Sequence, residues 1–178
     1  MRHARRCCFL SALCLAQTGC SILSPVPTWE LLKGAGTLSS TAIQSQPGEP
    51  TNTVTHPHAS FTALCIEFNP QTQVADIVPA LQSALQLQGI ESRVYDGQMS
   101  GDRCPVWLRY TAYVQWDTQA FSDVYAPYVS NASLTLQSSS GQILASSNYV
   151  LDSAIGRSKW ASTRDKLAPV LGALIYGL

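Results

Sequence analysis

Val106-Trp107-Leu108-Arg109-Tyr110-Thr111-Ala112-Tyr113-Val114-Gln115-Trp116-Asp117 alternates without a break. Val106, Leu108, Tyr110, Ala112, Val114 and Trp116 share one side, and Trp107, Arg109, Thr111, Tyr113, Gln115 and Asp117 share the other. A period of two held this long predicts a central β-strand. After it, Val129 to Gln137 and Gln142 to Val150 flank Ser138-Ser139-Ser140-Gly141, a turn composition that predicts a hairpin. Before it, Leu64, Ile66 and Phe68 alternate with Cys65 and Glu67 until Asn69-Pro70 ends the pattern. Val74, Ile77, Val78, Leu81, Ala84, Leu85 and Gln88 then recur at helical spacing, with Gly89 as a stop. Pro79 places the start of that helix near Asp76, with proline in the first turn, or else kinks it. Ile90 to Tyr95 is a further strand, giving a βαβ-like opening. Trp160, Leu167, Val170, Leu171, Leu174 and Ile175 make the last helix, with Pro169 inside it. These elements predict an α+β two-layer sandwich. Its mostly antiparallel sheet has about five strands with two helices on one face, ordered βαβ, β-meander, C-terminal helix.

The N-terminal sixty residues read differently. Arg2, Arg5 and Arg6 precede a short apolar run from Cys7 to Ala16, the layout of a bacterial secretory signal. That run falls short of the about 20 residues a permanent membrane span needs. Gln17-Thr18-Gly19-Cys20-Ser21 follows and resembles a lipobox, in which small residues precede a cysteine acylated after cleavage. Gln17 stands where Leu, Val or Ile is usual. The rival reading is ordinary cleavage after Ala16, which leaves a soluble periplasmic or secreted protein. From Ser21 to Ser60 the chain carries Pro25, Pro27, Pro47, Pro50 and Pro57 among many Ser and Thr, and reads as an extended tether. Leu38 to Ile43 within it could pair on a sheet edge. The expected organisation is therefore a signal at 1–19, a lipidated Cys20 and flexible tether over 20–60, and a periplasmic domain over 61–178.

Cysteine arithmetic agrees with lipidation. Three of the six cysteines leave with the signal, Cys20 takes the lipid, and Cys65 and Cys104 remain as one disulfide candidate in an oxidising compartment. Two unrelated buried thiols are the alternative. A Ser residue at 21, after the lipidated cysteine, favours the outer membrane by resemblance to other lipoproteins.

Charge limits the function. The chain holds 11 basic and 11 acidic residues, 12% of its length, against roughly 25% in an ordinary soluble domain. Loss of Arg2, Arg5 and Arg6 with the signal leaves 8 minus 11, a net charge of −3. No basic run exists to displace counterions from phosphate, so nucleic-acid binding is not expected. His56 and His58 sit on the tether without a nearby acid or thiol, which falls short of the three or four ligands a metal needs. From Phe61 onward there is no histidine, and so no Ser-His or Cys-His arrangement. Scattered carboxylates leave paired-acid hydrolysis as a weak alternative. No enzyme activity, cofactor or metal is expected.

Aromatic residues carry more weight. Trp107, Arg109, Tyr113 and Asp117 form the candidate interaction surface, with Tyr125, Tyr128 and Trp160 near, because Trp, Tyr and Arg dominate binding hot spots. Trp116 and Trp160, at strand and helix spacing, are expected in the core.

Cys20, the strand-helix opening, Cys104 followed by Tyr110-Thr111-Ala112-Tyr113-Val114-Gln115-Trp116-Asp117, the Gly141 hairpin ending at Tyr149, and Lys159-Trp160 before a terminal helix together carry a family resemblance. The chain resembles a group of small proteobacterial lipoproteins, the Sbal-type lipoproteins, over Cys20 and 61–178. The resemblance implies an envelope location and this fold, and it transfers no activity. The expected function is a noncatalytic lipoprotein whose periplasmic domain binds or supports another envelope protein. The alternative is a small-ligand or glycan module using a groove between sheet and helices.

Overall fold

The computed structural model describes residues 46–97, 104–152 and 156–177. The signal at 1–19, Cys20 and Leu38 to Ile43 lie outside the described residues. Among the described residues six strands and two helices follow in order: β1 (Pro50–Thr55), β2 (Ala63–Glu67), α1 (Ile77–Leu87), β3 (Glu91–Tyr95), β4 (Val106–Thr118), β5 (Tyr125–Ser138), β6 (Ile143–Val150) and α2 (Thr163–Tyr176). The fold is α+β, with one open mixed sheet in the order β1-β6-β5-β4-β2-β3. β2 runs parallel to β3 and to β4, while the β4-β5-β6 meander and the β1-β6 pair are antiparallel.

The alternation in β4 does what its period requires over its first half. Val106, Leu108, Tyr110 and Ala112 are buried, and the last three meet Leu136, Leu134 and Ala132 of β5 across the ladder. Ala145 and Tyr149 of β6 extend that apolar face. Against it α1 lays Ile77, Leu81, Ala84 and Leu85, and α2 lays Leu167, Val170, Leu171 and Leu174. Both sets recur at three and four, the stripe of an amphipathic helix.

The two helix starts differ. Pro79 occupies the first turn of α1, where a backbone N–H has no helical acceptor to lose. The Asp76 carboxylate does not cap its own helix but accepts a hydrogen bond from Thr163 Oγ1 (2.9 Å), tying the N-terminus of α1 to that of α2. Ser162 caps α2 by accepting from the Asp165 N–H, and Gly177 closes it in the left-handed region at φ 70°.

The stretch expected to be a tether reaches into the domain. Pro50–Thr55 forms the sixth strand, pairing with β6 through Pro50↔Tyr149 and Thr55↔Ala145. The cause is local: Thr51, Thr53, Val54 and Thr55 are β-branched and suit an edge strand, and Pro50 stands at its first position. The residues just before it are anchored as well. Pro169 has no N–H to give the Asp165 carbonyl four residues back, and the Gly48 N–H donates to that oxygen at 3.1 Å.

Candidate functional site

β4 and β5 outrun the rest of the sheet. β2 meets β4 at Cys65↔Trp107 and Ile66↔Leu108, and β6 reaches β5 no further than Asn131↔Val150. Beyond those points Val114–Thr118 and Tyr125–Val129 continue as a two-stranded ribbon. It begins at a register slip between Tyr113 and Val114, where Ser130 faces no β4 residue and its hydroxyl donates to the Tyr113 carbonyl (3.3 Å). Such a bulge sharpens the local twist and re-aims the side chains beyond it.

The ribbon changes the fate of the aromatic residues. Trp116 follows the alternation faithfully but is 63% exposed, against the expectation that it would be core. Alternation decides which side a residue takes, and the ribbon has passed beyond the residues that cover that side. Trp107, expected on the interaction surface, is 2% exposed and packs with Cys65 and Cys104 and edge-on to Tyr95, ring centres 5.8 Å apart. Those two cysteines face each other at disulfide distance, Cα atoms 5.9 Å apart. Arg109 is held by Glu67 at 2.6 Å. Of the four expected surface residues, Trp107 is buried and leaves the surface. Arg109 is partly exposed and paired with Glu67, Tyr113 stands exposed at the base of the ribbon, and Asp117 lies on it.

Two features converge there. The outer one is apolar: Tyr113, Trp116, Phe121, Val124 and Tyr125 are 65%, 63%, 70%, 73% and 67% exposed within thirteen consecutive residues. Phe121 holds φ at 63°, a left-handed conformation that costs a non-glycine residue about 1–2 kcal/mol.

The inner feature is a groove of about 820 Å³, open to solvent, between the ribbon and the N-terminal ends of α1 and α2. Tyr113, Trp116, Tyr128 and Trp160 supply its aromatic wall, and Gln71, Gln73 and Gln119 supply amides. Tyr128 and Trp160 meet edge to face with centres 5.5 Å apart, and the Lys159 ammonium lies over both rings at 4.9 and 5.3 Å. Lys159 also donates to Asp117, whose carboxyl is thereby held below the usual range, helped by the Thr118 N–H.

Lys166 is the residue that sequence reasoning missed. It is 1% exposed, and its ammonium donates to the Val129 carbonyl (2.9 Å) and the Lys159 carbonyl (2.8 Å). β6 has ended by this point, so a helix side chain serves a carbonyl at the edge of the ribbon. Burial pushes its pKa down to about 8, with Asp76 opposing the shift. The one sequence signal was its place four residues before Val170, on the stripe that α2 turns inward. Tyr149 lies beneath, its hydroxyl bonded to Ser158 Oγ at 2.8 Å and pushed up by burial.

His56 and His58 join no cluster of three or more ligand-type residues among the described residues. Asp76 is the one carboxylate lining the groove among them, and it is bonded to Thr163. No helix among the described residues is long and apolar enough to cross a membrane.

Fold and site together define an α+β domain with an open groove beside an aromatic ribbon. No family model matches the chain, and no curated protein matches it. Among solved structures it is similar to the PelC dodecamer from Paraburkholderia phytofirmans, at 13% identity over 68% of this chain and 98% of that one, TM-score 0.45. A single-substitution variant of the same dodecamer gives 14% identity, 68% and 97% coverage, and TM-score 0.45. Likeness at that level assigns neither fold nor function.

Proposed function

We propose that the protein is a noncatalytic cell-envelope lipoprotein, anchored through Cys20 at the periplasmic face of the outer membrane, whose domain docks another envelope protein through the tip of the β4-β5 ribbon. One observation carries the docking part of this reading: five large apolar side chains stand exposed within residues 113–125. Single exposed apolar residues need no explanation, whereas a concentration of them on a projecting hairpin marks an interaction site. Tyr, Trp and Phe are the residue types enriched where protein interfaces hold their binding energy. The left-handed Phe121 supports the same reading, since strain is retained where a side chain must be presented.

The test uses a photo-crosslinking amino acid placed at Phe121 in the full chain in its host, with a control at Glu91, at the start of edge strand β3 and level with the start of β4, away from the ribbon. A discrete protein adduct from position 121 alone is expected. No adduct, or the same adduct from both positions, overturns the reading. Phe121→Gly relieves the backbone strain, so it should leave the domain at least as stable while weakening the adduct formed from a second probe at Tyr125.

A further inference from the structure

We propose that the groove between the ribbon and the two helix starts is a binding site for a neutral oligosaccharide. It shares Tyr113 and Trp116 with the exposed residues of the ribbon but not Phe121, Val124 or Tyr125 of the tip, and it does not rest on the protein-docking reading. A volume of about 820 Å³ is within the range of ligand sites. The lining narrows the chemistry. A sugar ring has a face of C–H bonds that stacks on an aromatic ring, and a rim of hydroxyls that each donate and accept. Trp116 offers an exposed indole for the first, and Tyr128 and Trp160 are fixed beside it by their mutual packing and by Lys159. Groups already locked in place lose little side-chain freedom on binding, which favours affinity. Gln71, Gln73 and Gln119 match the hydroxyls, because each amide carries both donors and an acceptor.

Charge decides between neutral and ionic ligands. Asp76, Lys159 and Lys166 are the charged residues among those lining the groove, and each is already engaged within the protein. Lys159 is bound to Asp117, Lys166 donates to two carbonyls, and Asp76 accepts from Thr163. With Asp117 included, two cations balance two anions. A uronate or a polyamine sugar would find no free counter-charge and would have to displace one of these pairs. A neutral chain meets aromatic faces and amides with the charges left in place. Because the groove is open rather than enclosed, it suits an internal stretch of a chain and needs no free end.

The purified protein would be titrated with chitotetraose, cellotetraose and maltotetraose, with polygalacturonate and chitosan oligomers as the anionic and cationic arms. Binding is read by tryptophan fluorescence and calorimetry. Saturable binding of at least one neutral tetraose is expected, weakened about tenfold by Trp116→Ala, the cost of losing one aromatic anchor. Gln119→Ala, at an exposed position, should also weaken it, and it keeps the test valid if Trp116→Ala lowers the melting temperature. Phe121→Gly should leave sugar binding unchanged, so this site and the ribbon tip can fail separately. No saturable binding of any neutral tetraose, a preference for either charged arm, or affinity indifferent to both groove variants would overturn the proposal.

Discussion

Lys166 occupies a core position of α2 beside Leu167, Val170 and Leu171, where any other lysine would be swung out to water. Its ammonium survives there because two carbonyls accept from it, yet burial still holds its pKa at about 8, below its ordinary 10.5. A lysine whose pKa is depressed by folding weighs against the folded state wherever it is charged. Below pH 8 the lysine is protonated in both states and the whole penalty is present. Between about 8 and 10.5 the unfolded chain binds more protons than the native one, so stability rises with pH, by roughly 3 kcal/mol in all. Tyr149 acts in the opposite sense above its ordinary value of 10, because burial keeps it protonated after the unfolded tyrosine has ionised. The window for the lysine alone is therefore pH 8 to 10. Urea denaturation should give a midpoint that climbs from pH 7.5 to 9.5, and Lys166→Met should flatten that climb even if it shifts stability overall. A flat wild-type profile would show that the ammonium carries no burial penalty. Sequence shows only that position 166 falls on the inward stripe, four residues before Val170; the residue itself, a lysine in a helix, reads as solvated surface.

At the scale of elements, the strands and helices of 61–178 were legible because each carries its own period. The β4 alternation, the α1 and α2 stripes and the Gly141 turn all specify local geometry that burial then rewards. What was not legible depended on neighbours. The exposure of Trp116 follows from where β2 and β6 stop, and the burial of Trp107 follows from Cys65 and Cys104 closing over it. β1 was hidden by the prolines around it, although its β-branched run is an edge-strand pattern in its own right. Gly48 tests the point by sign. In a tether, Gly→Ala would stabilise slightly by restricting the unfolded chain. In this fold a Cβ at position 48 would overlap the Lys166 carbonyl and lie 2.8 Å from Tyr149 Cδ2. It would also disturb the N–H that serves the carbonyl orphaned by Pro169. Gly48→Ala should therefore destabilise by about 1–3 kcal/mol, the range for overpacking, seen as a lower melting temperature.

For the whole molecule, the ribbon and groove matter only if the domain is held where its ligands are, and the Cys20 reading says how. In this reading attachment rests on acyl chains at Cys20. Each buried methylene contributes about 0.8 kcal/mol, and one chain alone holds only marginally, so firm anchoring requires the multiple chains a processed lipoprotein carries. Fractionation separates this from ordinary cleavage after Ala16. Under lipidation, the wild type sediments with membranes and Cys20→Ser moves to the soluble fraction. Under ordinary cleavage, both are soluble from the start, and Cys20 is only an odd thiol. The domain supplies its own control: Phe121→Gly removes the most exposed aromatic of the ribbon and keeps Cys20. If that variant left the membrane while Cys20→Ser stayed, the ribbon would be the anchor and the lipid reading would be wrong. If Cys20→Ser alone is released, the anchor is the lipid, and the ribbon tip and groove are left free for the proposed protein partner and oligosaccharide.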